Sequence, residues 1–340
     1  SKKSTNKLGT SKMIKKYITK HQLIYDILKC PQDVIIPVND IDAWLFYPKH
    51  NWIYNKIKVC QTQNIKCAPV GILPPKFPIF IKPIINLYGM GWGSRKINDI
   101  SEYKEYLSPG YFWMPILDGL HLSYDFVLIK GEVKVSFCFC GYPTKDGMFD
   151  YWETQNSQPP DFLLNWISKH LNSDNKYTGC LNIEIIGDKI IDCHLRMGDI
   201  NQIHSKDVIK SIINVYKNDE TACDNLVNNI PKIFLVPIFT NYDSKVYLTY
   251  EELFDVCNSI DPTSEHLYSC QLDPSQEKSF NPTGGVRLAN INTSNLELGF
   301  EVRDKVLELI QKKKKYYIMR IIGYIIAIIV IILYFTKYST

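Results

Sequence analysis

Residues 77–97 read FPIFIKPIINLYGMGWGSRKI and place one cation, Lys82, inside a run otherwise suited to burial. Gly89, Gly91 and Gly93 follow at every second position, and then Ser94 and Arg95. Phosphate chemistry accounts for both features. A lysine on a strand can point into a cleft and pair with phosphate oxygens as a point charge, while a glycine-rich loop offers backbone N–H groups at close range. On this reading Lys82 and the loop form one nucleotide-phosphate site. The spacing is not that of a P-loop, where the lysine directly follows the second glycine, nor that of a dinucleotide fingerprint opening a helix. A plainer reading stays open: a glycine turn beside a lysine with a buried stem and a solvated head.

The elements that must position these residues follow from periodicity and turn chemistry. DVIIPV (33–38) and AWLFYP (43–48) have the look of two short strands, and WIYNKIKVCQTQNI (52–65) carries apolar residues at helical spacing. A proline-rich link, CAPVGILPPKFP, leads into IFIKPII, a β-branched run that reads as a buried strand. YFWMPILDGLHLSYDFVLIKGEVKVSFCFCG (111–141) alternates and turns at Gly119 and Gly131, as antiparallel strands do. A helix is predicted near PDFLLNWISKHL (160–171). GCLNIEIIGDKIIDCHLRMGD (179–199) then gives a strand, a Gly187-Asp188 turn and a second strand. Residues 206–229 have a helical pattern, and PKIFLVPIF, VYLTYEELFDVCN and SNLELGFEVRDKVLELIQKKKK suggest a terminal α/β portion. No internal repeat is visible.

The succession of these pieces from about residue 51 to 200 resembles the ATP-grasp superfamily. There, a lysine-bearing helix, a proline-rich link, a hydrophobic-Lys-Pro strand and a glycine loop precede a hinge and a pair of metal-binding strands. The resemblance implies an α/β (α+β) fold of two subdomains clasping a nucleotide cleft. It divides the chain into a basic arm (1–20), a short preceding segment (21–50), an ATP-grasp-like domain (51–230, with the glycine loop at 88–95 and the metal hairpin at 180–199) and a C-terminal α/β portion (231–311). By resemblance Lys56 and Lys82 contact ATP phosphates, while Gly89, Gly91, Gly93, Ser94 and Arg95 close over them. Met114 and Ile116, in MPIL, supply the hinge beside adenine. Arg287, in NPTGGVRLANI, belongs to a loop that closes the site.

Family members end the site with two acids and an asparagine, in a pattern like Glu-hydrophobic-Asn-Pro-Arg, that hold magnesium. Here Glu184 is the first acid, Asp192 replaces glutamate, His194 replaces asparagine, Leu195 replaces proline, and Arg196 matches. Two carboxylates on adjacent strands suit magnesium, which takes one or two carboxylates plus phosphate oxygens. His194 lies two residues from Asp192 and so on the same strand face. Imidazole suits manganese or zinc better than magnesium, which leaves the ion open; equally, His194 orients Asp192 or packs in the cleft. Arg196 holds the transferred phosphate or an acyl-phosphate anion, with Lys82 as its catalytic partner, or else makes a surface salt bridge.

The net charge of +4 conceals an acidic body. Residues 1–20 hold seven lysines and no acid, residues 312–340 hold five lysines, one arginine and no acid, and the chain between them carries −9. Basic ends on an acidic body argue against a nucleic-acid surface and for tails that meet something anionic. The C-terminal tail contains fifteen uninterrupted apolar residues from Ile321 to Phe335. The stretch from 316 to 336, about twenty residues, is long enough to span a bilayer. Lys312 to Lys315 precede it and only Lys337 follows, which keeps the body cytosolic by the positive-inside rule. Ten cysteines without paired spacing agree with a reducing compartment.

Two functions follow. One is a membrane-anchored ATP-dependent ligase that forms an acyl phosphate on a small-molecule or peptide carboxylate for attack by an amine or thiol, with ATP and Mg2+ or Mn2+ as cofactors. The other is a non-catalytic structural or scaffolding membrane protein, for instance on a virus or organelle membrane, that retains the fold.

Overall fold

The computed structural model describes residues 25, 28–89, 91–144, 148–172, 175–198, 205–226, 231–240, 248–260, 268–272 and 286–338. Among these residues two antiparallel sheets carry the architecture. The smaller contains β1 (Ala68–Pro69), β2 (Ile79–Pro83), β3 (Arg95–Ile97) and β4 (Tyr111–Pro115), in the order β1-β4-β2-β3. The larger contains β5 (His121–Ile129), β6 (Glu132–Pro143), β7 (Phe149–Gln155), β8 (Gly179–Ile186), β9 (Lys189–His194), β10 (Phe234–Thr240), β11 (Tyr268–Leu272) and β12 (Val286–Thr293). Its order is β11-β12-β10-β7-β6-β5-β8-β9. The pairing of β10 with β7 carries this sheet across residue 230, so segments before and after that point share it.

Alternation along β5 and β8 gives the large sheet two buried faces. Tyr124, Phe126, Leu128, Leu181, Ile183 and Ile185 point to one side, where α4 (Asp161–Leu171) covers them with Leu163, Trp166, Ile167 and Leu171. Val127, Ile129, Val135, Phe137 and Phe139 point to the other, under Val208, Ile209, Ile212 and Ile213 of α5 (Lys206–Tyr216). Each such side chain removed from water is worth about 1.5–3 kcal/mol, so the central strands are held by packing on both faces. The chain between β4 and β5 meets the β8–β9 hairpin at two glycines: a Cβ on Gly119 would stand 2.7 Å from the Cα of Gly187. That close approach fixes the start of β5 against the β8–β9 turn.

The far end of the sheet is an apolar platform. Val236 and Ile238 of β10 and Ala289 and Ile291 of β12 pack against Leu253 and Cys257 of α6 (Tyr250–Ile260). Val302, Val306 and Ile310 of α7 (Leu296–Tyr338) join them at helical spacing. From Tyr316 to Phe335 the same helix is exposed throughout. It is long and apolar enough to cross a membrane and is a candidate span.

Four expected elements differ. Residues 34–38 are irregular, and AWLFYP is not a strand: Asp40–Phe46 forms a helix, α1. Asn39 caps it by accepting from the Asp42 amide at 2.8 Å, and two acids in the first turn complement the helix dipole, which outweighs the aromatic bias of the segment. The lysine helix is split at Asn55. A 3₁₀ turn (Asn51–Tyr54) ends there, and the Asn55 side chain caps α2 (Lys56–Thr62) by accepting from the Lys58 amide at 3.1 Å. The pattern of 206–229 is helical only to Tyr216; turns follow, and 227–230 lie outside the described residues. A short helix, α3 (Ile100–Glu105), covers the small sheet through Tyr103.

Candidate functional site

The two sheets are linked where the Lys82 side chain of β2 reaches β9. Lys82 lies on the same face of the small sheet as Phe80, Phe112 and Met114 and is 6 % exposed. Its Nζ donates to the Ile191 carbonyl of β9 at 2.7 Å. Lys56, the first residue of α2, is brought alongside because its amide bonds the Ile84 carbonyl just past β2 at 2.9 Å. The Lys56 ammonium forms an ion pair with Asp192. Burial, reinforced by the neighbouring Lys56 charge, pulls the Lys82 pKa down to about 8 against the opposing pull of Asp192 and Glu184. Burial alone would raise the Asp192 pKa, but Lys56, His194 and Lys82 outweigh it and hold the group ionised far below the usual carboxylate range.

The acids come from the hairpin register. Glu184 stands directly opposite Asp192, and Asn182 opposite His194, so all four share one face. Glu184 also stands opposite Ser123 of β5 and accepts from His121 Nε2 at 3.0 Å. His121 is fixed edge-on to Phe149 and Trp152, at 4.9 and 5.5 Å. Asn182 donates to Ser123 Oγ at 2.8 Å and to Asp125 Oδ1 at 2.9 Å, and Asp125 accepts the Gly198 amide at 2.6 Å. These buried bonds clamp the chain after β9 to the sheet.

Arg196 and His194 turn toward a residue with no signal in the sequence. Asp40 of α1 accepts from Arg196 Nη2 at 2.8 Å, from His194 Nδ1 at 3.0 Å and from the Tyr54 hydroxyl at 3.1 Å. Burial would raise its pKa, but Arg196 and His194 outweigh it and lower it to about 2. Arg196 also donates to the Met197 carbonyl at 2.8 Å and is 8 % exposed, so the surface salt bridge considered for it is instead a buried ion pair. Burial alone would lower the His194 pKa; Asp40 and Asp192 on its two sides raise it. His194 Nε2 faces Asp192 Oδ1 at 3.8 Å.

The glycine loop has the backbone that its composition demands. Gly89, Gly91 and Gly93 all have positive φ, and a Cβ on Gly93 would stand 2.5 Å from the Tyr111 hydroxyl. Asn86 ties the loop down by donating to the Gly89 carbonyl at 2.9 Å, and the Ser94 amide bonds the Gly91 carbonyl at 3.0 Å. Arg95 is exposed on β3, with its guanidinium over the Tyr106 ring at 4.1 Å. Met114 is buried against Cys60, Ile65 and Phe112, while Ile116, beyond the end of β4, is 36 % exposed. Arg287 lies on β12, five strands from β8 in the sheet order, and 281–285 lie outside the described residues.

The structure thus brings together Lys56, Lys82, Glu184 and Asp192, sets His194 beside them, and faces Arg196 toward Asp40. Glu184 and Asp192 are hard oxygen donors side by side, a set that fits one magnesium ion completed by phosphate oxygens. Among the described residues no three His, Cys, Asp or Glu side chains converge to hold a metal unaided.

No protein-family model and no curated protein matches this chain. Solved structures do. N5-carboxyaminoimidazole synthetase from Staphylococcus aureus, complexed with ADP, superposes with a TM-score of 0.51 at 9 % identity, over 76 % of this chain and 72 % of that one. Carboxyaminoimidazole ribonucleotide synthase from Aspergillus clavatus, complexed with ATP, gives 0.49 at 11 %, over 76 % and 73 %. L-amino acid ligase from Bacillus licheniformis gives 0.46 at 12 %, over 84 % and 75 %. Two sheets meeting at a lysine strand, a glycine loop and an acidic hairpin, together with the first of these superpositions, establish that this chain has the ATP-grasp fold.

Proposed function

We propose that the protein is a membrane-anchored, ATP-dependent ligase of ATP-grasp type that activates a carboxylate as its acyl phosphate for attack by an amine or thiol. One observation carries this reading: two buried lysines, Lys82 of β2 and Lys56 of α2, reach the strand pair that bears two carboxylates, Lys56 pairing with Asp192 and Lys82 with the Ile191 carbonyl beside it. A charge arrangement of that kind is costly to bury, and it is what a triphosphate and its cation would satisfy. Lys56 and Lys82 exchange Asp192 and the Ile191 carbonyl for phosphate oxygens. Glu184 and Asp192 would hold the divalent cation, magnesium or manganese, which would neutralise phosphate charge when bound. The carboxylate oxygen attacks the γ-phosphorus as the bond to the β-phosphate oxygen breaks, releasing ADP. The amine or thiol then attacks the acyl carbon, and phosphate leaves. The glycine loop closes over the phosphates, and Met114 and Ile116 flank the adenine. Residues 316–336 anchor the chain with the body on the cytosolic side, since Lys312 to Lys315 flank that end.

A second reading has its own support. Lys56 and Lys82 already have protein partners, as they would in a scaffold that keeps the fold without turnover. Calorimetry with ATP and magnesium separates the two. Lys82→Ala is expected to weaken binding by about ten-fold to a hundred-fold, the worth of about 1.5–3 kcal/mol for a charge-assisted contact, while Lys76→Ala, on an exposed residue, leaves it unchanged. Equal effects from both, or no binding at all, would reject the ligase.

A further inference from the structure

Asp40 comes from the segment ahead of the lysine helix, yet it governs the side chains at the end of the metal hairpin. It is 2 % exposed and receives three donors, one from Tyr54 and two from the end of β9 and the residues after it. A carboxylate paired with a guanidinium at 2.8 Å is ionised and can only accept. The His194 proton on that side therefore sits on Nδ1. Arg196 Nη2 lies 3.5 Å from the same nitrogen, and two donors do not bond each other, so their closeness is imposed by the carboxylate they share.

The consequence falls on the other ring nitrogen. His194 Nε2 faces Asp192 Oδ1 at 3.8 Å, beyond hydrogen-bond reach. In the neutral ring that nitrogen is bare, so two acceptors confront each other, an arrangement that either a proton or a divalent cation satisfies. A histidine ligand typically gives its second N–H to a carboxylate, which fixes the tautomer and raises the basicity of the ligating nitrogen.

We infer that Asp40 is a positioning residue for the metal side of the site: it holds the His194 proton on Nδ1, so that Nε2 and Asp192 Oδ1 present one nitrogen and one oxygen to a divalent cation. The pairing favours manganese over magnesium, because imidazole nitrogen is a poor ligand for the harder ion. The assignment of that cation rests on the proposed nucleotide site; the tautomer does not. Arg196, bound to the same carboxylate, keeps Asp40 ionised rather than reaching for phosphate.

The test is the nitrogen spectrum of full-length protein in detergent, labelled with 15N-histidine. The His194 signals are assigned by their loss in His194→Gln and recorded at about pH 9, well above the ordinary imidazole pKa of about 6.5. The expected result is a protonated Nδ1 and a bare Nε2. The common Nε2–H tautomer, or a ring still protonated on both nitrogens, overturns the inference. In Asp40→Asn the Nε2–H form is expected to appear, and Mn2+ titrated alone and followed by electron paramagnetic resonance is expected to bind about ten-fold to a hundred-fold more weakly. A variant that keeps both the tautomer and the affinity also overturns the inference; if the variant does not fold, the wild-type spectrum alone decides. Absence of ATP binding with the Nδ1–H tautomer intact rejects the ligase and leaves Asp40 in its role, whereas the reverse pair of results rejects only Asp40.

Discussion

The two ends of the eight-stranded sheet are built on opposite principles. At the β8–β9 end, polar groups hold one another: buried Lys56 pairs with half-buried Asp192, Glu184 hydrogen-bonds His121, and buried Asp40 binds Arg196 and His194. At the β10–β12 end, hydrocarbon does the work, with Val302, Val306 and Ile310 of α7 on Val236, Ile238 and Ile291. The charged end depends on every partner being present, since removing one leaves an uncompensated charge that costs several kcal/mol. The apolar end degrades gradually, one side chain at a time. On the proposed function, the charged end would exchange its partners for a ligand and the apolar end would carry the anchor.

The contrast can be broken at several points. The largest effect is expected from deleting residues 316–340, which should move the whole protein from the membrane pellet to the supernatant after alkaline extraction; persistence in the pellet would remove the anchor from the proposal. Next is Asp192→Asn at the charged end. It keeps the shape and removes the charge, so turnover should fall at least about a hundred-fold, in line with about 2.7–4 kcal/mol for electrostatic stabilisation of a transition state. A steady-state assay of ADP release, with nucleotide affinity measured in parallel, checks that turnover suffers more than binding.

Ile310→Ala tests the apolar end. It should cost about 2–5 kcal/mol in denaturant unfolding, whereas Ile326→Ala, fully in the exposed stretch, should leave the body's midpoint where it is. The smallest effect concerns pH. Asp40 has its pKa lowered from 3.8 to about 2, so the unfolded chain binds the proton more readily and stability rises with pH through that window. The contribution is fully present above the unfolded value, and roughly 2 kcal/mol of it is lost as the pH falls through the folded one. Acid titration of unfolding should show this loss in the wild type and not in an Asp40→Asn variant.

What could be read from the sequence was what local pattern encodes. The hairpin around Gly187, the alternation of β5 and β6 and the glycine loop all declare themselves within a few residues, because turn chemistry and period-two burial are local. The pairing of Lys82 with β9 could be anticipated only through the order of the motifs. Asp40 could not be anticipated: its partners His194 and Arg196 lie 154 and 156 residues away, and no spacing rule spans that distance. The same stretch concealed its own helix, because aromatic and branched residues favour a strand while the deciding signal was one capping asparagine. His121 carries no local signal for a related reason. It starts a strand two residues after Gly119, and only the pairing with β8 brings it to Glu184.

α7 runs without a break from Leu296 to Tyr338. Its last buried residue, Ile310, and the first residue of the uninterrupted apolar stretch, Ile321, are eleven residues apart, or about 16 Å along the helix. A flexible stalk would let the body tumble freely over a bilayer. On the proposed anchor this rod would not: seated in lipid, it would set the height and azimuth of the body together, because the same helix packs on β10 and β12. Each residue added to or removed from the rod would shift the body by about 1.5 Å and turn it by about 100°.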